Sequence, residues 1–141
     1  MGKIIIYCAA LFVEHGRVLL VQHGDDKFWK FCGGKIENLD VGLLELARKE
    51  AKEELGIDFR LRENEPFAKY LPLGDADSRI DTLSVNFWAQ REGEIVKADK
   101  IRDSRWVPLD KMYEIRKAPN IIPALEHFGF KVDEGFSQNV E

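Results

Sequence analysis

GGKIENLDVGLLELARKEAKEELGI, residues 33–57, opens on a glycine pair and changes its hydrophobic period half-way along. From about Leu43 the apolar positions Leu44, Ala47, Ala51 and Leu55 recur at spacings of three and four, which predicts a helix over about 43–55 with one buried stripe. Gly56 ends it, because glycine enters the left-handed conformation of a helix C-terminus without strain. On this helix Glu50, Glu53 and Glu54 stand at i, i+3 and i+4, so three carboxylates project from neighbouring points of one face. Like charges at that spacing repel by roughly a few tenths of a kcal/mol per pair. Either Lys49 and Lys52 offset the repulsion on a solvated face, or a bound cation does.

Upstream, residues 4–13 and 17–22 are rich in Ile, Val and Leu and are separated by Glu14-His15-Gly16, the pattern of a β-hairpin with Gly16 in its turn. Residues 23–35 mix charges and aromatics with Gly33-Gly34 and read as a loop that approaches something closely. Downstream, 57–61 and 67–73 read as extended, Pro72 to Asp81 as a polar loop and Thr82 to Ala89 as a strand. Residues 91–103 are charged and read as loop, Ser104 to Val107 as a short strand, Pro108-Leu109-Asp110 as a helix start, and Asn120 as the cap of a second helix with Pro123 in its first turn. Strands, a central helix, more strands and late helices suggest a mixed sheet between helices, in a single domain over 1–141 whose last residues, about 131–141, form a loose tail.

A formal charge of −4 from 21 basic and 25 acidic residues disfavours nucleic acid and anionic membranes as partners. An acidic protein that handles phosphates must neutralise them locally. The two cysteines, Cys8 and Cys32, lack the spacing of a zinc site and read as free thiols. No signal peptide or long apolar run is evident, so the expected location is cytoplasmic. His15, His23 and His127 have no triad partners at recognisable spacing, which argues against a covalent nucleophilic mechanism.

The segments Gly33-Gly34-Lys35-Ile36-Glu37 and Lys49-Glu50-Ala51-Lys52-Glu53-Glu54-Leu55-Gly56-Ile57 resemble the signature box of the Nudix hydrolase family, whose members are MutT-like. The resemblance implies an α/β (α+β) fold of the Nudix type, an α/β/α sandwich with a mixed sheet and a catalytic carboxylate helix. It implies a hydrolase acting on a phosphoanhydride in a nucleoside diphosphate linked to another group, first of all a nucleoside triphosphate, as in nucleotide-pool housecleaning. ADP-ribose and dinucleoside polyphosphates are alternative substrates, and a nucleotide-sensing module without turnover is a rival from another class. Isomerisation of a prenyl diphosphate is disfavoured, since no Cys sits where a proton donor is expected. The family's small-molecule nucleotide partner and frequent homodimers carry over as expectations.

A diphosphate repels an attacking water until cations neutralise it, and hard Mg2+ or Mn2+ takes oxygen ligands. By the resemblance Glu50, Glu53 and Glu54 hold those ions together with the Gly33 carbonyl, and one of these acids, or a more distant one, is the candidate base. This chain departs from the family in four places: one extra residue in the loop Glu37–Asp40, the loop acid, which lies at Asp40 or is replaced by Val41, Lys49 where the family has Arg, and Cys32 where a proline commonly precedes the glycines. Lys49 keeps the charge without the bidentate fork, and Cys32 reads as a small apolar filler. A further acid is expected among Glu92, Glu94, Asp99 and Asp103. On the substrate side, Trp29 and Phe31 are candidates for stacking on a base, Lys35, Arg17, Lys27 and Arg79 for phosphate, and Asn86 for a base edge, each set against a core or surface role.

Overall fold

A computed structural model describes residues 3–24, 28–38, 40–73 and 80–132. Strand β1 spans Lys3–Glu14, β2 Arg17–His23, β3 Cys32–Lys35, β4 Asp58–Leu61, β5 Phe67–Leu73, β6 Ile80–Glu92 and β7 Ile101–Pro108. Helix α1 is Leu43–Leu55, a 3-10 segment covers Leu109–Glu114, and α2 is Ile121–His127.

The apolar run of β1 makes it the central strand. It pairs in parallel with β6 from Lys3↔Ile80 to Phe12↔Ala89, and on its other edge antiparallel first with β3 and then with β2. The sheet order is β4-β6-β1-β2-β7, with β3 added to β1 and β5 to β6, a mixed sheet as expected. Alternation along β1 divides the core: Cys8, Ala10 and Phe12 face a cluster with Ala47, Ala51 and Leu55 of α1, while Leu11 faces a second cluster with Ile121, Ala124 and Leu125 of α2. Helices therefore cover both faces, which is the α/β/α sandwich.

Helix α1 has the expected bounds, and its buried face is Leu46, Ala47, Ala51, Glu54 and Leu55. Leu44, placed in the stripe by spacing, is only partly buried, and Leu46 takes the deeper position. Gly56 closes the helix at φ 68°. The freed carbonyls of Glu54 and Leu55 accept from the backbone N–H groups of Ala98 (2.9 Å) and Val96 (2.8 Å), so the charged segment after β6 is tied to the helix end. The hairpin turn has positive φ at both His15 (53°) and Gly16 (74°), as a two-residue type I′ turn requires.

Four expectations are corrected. Residues 32–35 form a strand, not loop: Cys32 pairs with Ala10, Gly33 with Ala9 and Gly34 with Cys8. Glycine has poor strand propensity, but a Cβ at Gly33 would collide with the Cys8 carbonyl and with Ala9, so only a bare backbone pairs there. Strand β6 runs from 80 to 92 and β7 starts at 101, both longer than the apolar pattern suggests, because partner strands satisfy backbone groups at polar positions such as Asp81, Glu92 and Asp103. Asn120 precedes α2 but makes no capping bond with its side chain; its amide goes elsewhere, as described below.

Candidate active site

A cleft of about 780 Å³ opens on the α2 side of the sheet at the edge formed by β3. Its floor follows from register. Ile5, Thr82 and Leu71 align across β1, β6 and β5, and Lys35, Tyr7 and Ser84 align across β3, β1 and β6; all six line the cleft. One wall is Ala118-Pro119-Asn120, held in place where the Ala118 N–H donates to the Trp29 carbonyl (2.9 Å) and the Trp29 N–H to the Arg116 carbonyl (2.8 Å).

Helix α1 lies on the other face, yet Glu50 lines this cleft together with Gly33 and Gly34. Gly34 is the reason. A Cβ at that position would overlap the Glu50 carboxylate, so the missing side chain is the passage through which Glu50 reaches over the sheet edge. Glu50 is half-buried, and its pKa is raised by burial first and then by the negative charge of Glu54, with the Lys100 ammonium acting in the opposite direction.

Glu54 is 1% exposed. Its Oε2 lies 2.9 Å from His23 Nε2, and its Oε1 accepts from the Cys32 thiol at 3.3 Å. Burial, reinforced by Glu54, pushes the Cys32 thiol far above its usual range, so the sulfur keeps the proton it donates. Cys8, whose Sγ donates to the Leu43 carbonyl, is pushed up to about 11, chiefly by burial. Glu53 is more open, at 45% exposure, and stands between Lys49 Nζ and Lys100 Nζ, each 3.8 Å away.

The other sequence candidates separate. Lys35 is at the cleft, 4.0 Å from Glu37. Phe31 lines it too, although only 3% exposed. Trp29 does not: at 6% exposure it belongs to the second core cluster, with the Arg105 guanidinium 4.8 Å over its ring. Asn86 is fully buried and does not reach the cleft. Its amide donates to the carbonyls of Phe67 and Ser84, while its oxygen accepts from Ser84 Oγ and from Asn120 Nδ2 at 2.9 Å, so no group is left for a ligand. Asn86 instead orients Asn120, which lines the cleft. Arg17 is exposed at the start of β2, opposite Glu14, away from the cleft. Arg79 and Lys27 lie outside the described residues.

None of Glu92, Glu94, Asp99 and Asp103 lines the cleft; the same segment contributes Lys100 instead. Sequence reasoning missed Lys100, His23, Phe28 and Asn120 as cleft residues. Phe28 carried a usable signal, an aromatic in a polar loop that is left 42% exposed. The other three carried none, since their positions depend on contacts between distant elements.

Among the described residues no three His, Cys, Asp or Glu side chains converge tightly enough to enclose an ion unaided. The donor chemistry nonetheless suits a hard divalent cation. Glu50, Glu53 and Glu54 supply hard carboxylate oxygens from one stretch of α1, and the pKa of Glu50 is raised first by burial and then by the negative charge of Glu54, so positive charge bound there is favourable.

The NUDIX domain family matches residues 3–128. No curated protein matches the chain. Among solved structures, the E. coli ORF135 protein is similar at 25% identity and TM-score 0.66, with 89% of each chain covered. A MutT protein from Bacillus halodurans is similar at 24% identity and TM-score 0.70, covering 92% of this chain and 84% of that one. An ADP-ribose pyrophosphatase from Streptococcus suis is similar at 18% identity and TM-score 0.63, covering 92% and 96%. The last two likenesses concern the fold alone.

Proposed function

The chain belongs to the Nudix family and is a Nudix hydrolase, and on that premise we propose that it cleaves a phosphoanhydride in a nucleoside diphosphate linked to another group, most directly a nucleoside triphosphate, with Mg2+ or Mn2+ as cofactor. The observation that carries this reading is Glu50, brought past Gly34 into a cleft whose far end is apolar and whose wall holds the Asn120 amide. Carboxylate and cation belong at the phosphate end of a nucleotide, and apolar walls with one amide suit its base.

In this reading Glu50, Glu53 and Glu54 hold the cation, Gly33 contributes its carbonyl, and Lys35 meets phosphate oxygens from the cleft floor. When bound, such an ion would supply neutralisation of the diphosphate charge and a lowered pKa for the attacking water. Glu50 is the best placed of the three to accept a proton, since it is the one that faces the cleft. Phe28 and Phe31 offer ring surface to a base. The net charge of −4 further supports a small-molecule partner over nucleic acid or an anionic membrane.

The length of the cleft supports a second reading. Its floor continues past Ser84 to Ile5, Leu71 and Ile80, room for a second group beyond the diphosphate, as in ADP-ribose or a dinucleoside polyphosphate. A nucleotide panel with Mg2+ or Mn2+, with products identified, separates the two: nucleoside monophosphate plus pyrophosphate supports the first, ribose phosphate or a second nucleotide the other. Glu53→Gln and Glu54→Gln should each abolish turnover. Tight binding of nucleotides with no turnover across the panel would reject the hydrolase reading in favour of a sensor.

A further inference from the structure

Glu54 combines burial with two hydrogen bonds that come from separate elements. Cys32 is the first residue of β3, and its pairing with Ala10 points Sγ to the α1 side of the sheet, among the core residues of that face. There it lies 3.3 Å from Glu54 Oε1 and 3.9 Å from the Glu50 carbonyl. His23 ends β2, lines the cleft and places Nε2 2.9 Å from Glu54 Oε2. The carboxylate is thus gripped from both sides, one donor on each oxygen. A side chain so held has lost the freedom to turn away, whereas Glu53 on the same helix face is exposed and shared between two lysines.

The geometry points to a clamp: we propose that Cys32 and His23 are positioning residues that fix the Glu54 carboxylate for cation binding. This rests on the reading above, in which Glu54 is one of the cation's ligands. Residues that orient metal ligands contribute about ten- to a hundred-fold to metal affinity. The pairing also accounts for cysteine before the glycine pair, since a proline there would leave Glu54 Oε1 without its donor. The Nε2–H tautomer of His23 is the one a carboxylate selects, and it leaves Nδ1 buried with no hydrogen-bond partner among the described residues, an acceptor tolerated for the sake of the Glu54 contact.

The test is Mn2+ alone, titrated into metal-free protein and followed by the loss of the free-ion EPR signal. Wild type, Cys32→Ala, Cys32→Ser, His23→Ala and His23→Gln are compared, with thermal melting of each. The alanine variants are expected to bind Mn2+ about ten-fold more weakly. Gln, which offers an amide N–H close to the imidazole Nε2 position, and Ser, which keeps a hydroxyl donor, are expected to recover most of that loss. Alanine variants that bind like wild type would overturn the clamp. Ser and Gln variants as weak as alanine would also overturn it, because the effect would then be one of packing. If Cys32→Ala does not fold, the His23 pair, at a partly exposed site, still decides. A wild type that binds no Mn2+ while these hydrogen bonds are intact would instead overturn the cation reading itself, which makes the two failures distinguishable.

Discussion

Lys100 Nζ stands 3.8 Å from Glu53 Oε1, a lysine on the segment before β7 reaching the carboxylate face of α1. The same ammonium is the main influence holding down the pKa of Glu50. Lys100 therefore occupies, in part, the electrostatic role of a cation among the three glutamates. In the proposed reading, where the glutamates hold a cation, Lys100→Met removes a competitor for the same oxygens. The expected result is Mn2+ binding tightened by roughly three-fold, the scale of one exposed ion pair. An unchanged or weakened affinity in an EPR titration would show that Lys100 does not compete.

Gly34→Ala places a methyl group where the Glu50 carboxylate now lies. Backbone at Gly34 is held by its pairing with Cys8, so the carboxylate must move. Activity on the best substrate of the panel should fall on the order of a hundred-fold, as for a small misplacement of a reacting group, with the circular dichroism spectrum retained. Full activity would mean that Glu50 functions from another rotamer.

The Cys8 thiol titrates near 11 in the folded protein against an ordinary value of 9.0. A raised folded pKa means that the native state keeps its proton longer than the unfolded chain does. The stability associated with this difference is fully present below about pH 9 and is lost as the pH rises toward about 11. Melting temperature should fall across that window by more in wild type than in Cys8→Ala. Parallel curves for the two proteins would remove Cys8 as the cause.

Leu55→Ala cuts a side chain with no solvent exposure from the cluster between α1 and the sheet. Burial of this kind predicts a loss of about 2–5 kcal/mol of stability by urea unfolding. Leu44→Ala, on the partly buried flank of the same helix, should cost visibly less. Equal losses would mean that the helix packs on a different face.

Much of the fold is legible locally. The spacing of Ala47, Ala51 and Leu55 places α1, Gly56 ends it, and His15-Gly16 turns the hairpin, because each depends on backbone preference or side-chain period within one segment. Strand β3 escapes that logic. Its two glycines argue against a strand by propensity, and only tertiary contacts explain them, the tight approach of Cys8 and Ala9 at Gly33 and the Glu50 carboxylate at Gly34. The site divides in the same way. The three glutamates are readable from their i, i+3, i+4 spacing, whereas Asn86 and Trp29 look like ligand-facing residues until packing buries them. Asn120 shows the converse: its type and place suggest a helix cap, yet its amide meets Asn86 across 34 residues.

The amino-acid order by itself determined a carboxylate-bearing helix behind a glycine pair, since both follow from interactions among neighbours in the chain. Which of those carboxylates enters the cleft, which is buried between His23 and Cys32, and which is left to lysines was decided only by the tertiary structure. The physical reason is that helical periodicity sets the direction of a side chain relative to its own axis, while its burial and its partners depend on what the sheet edge and the distant loops place opposite it.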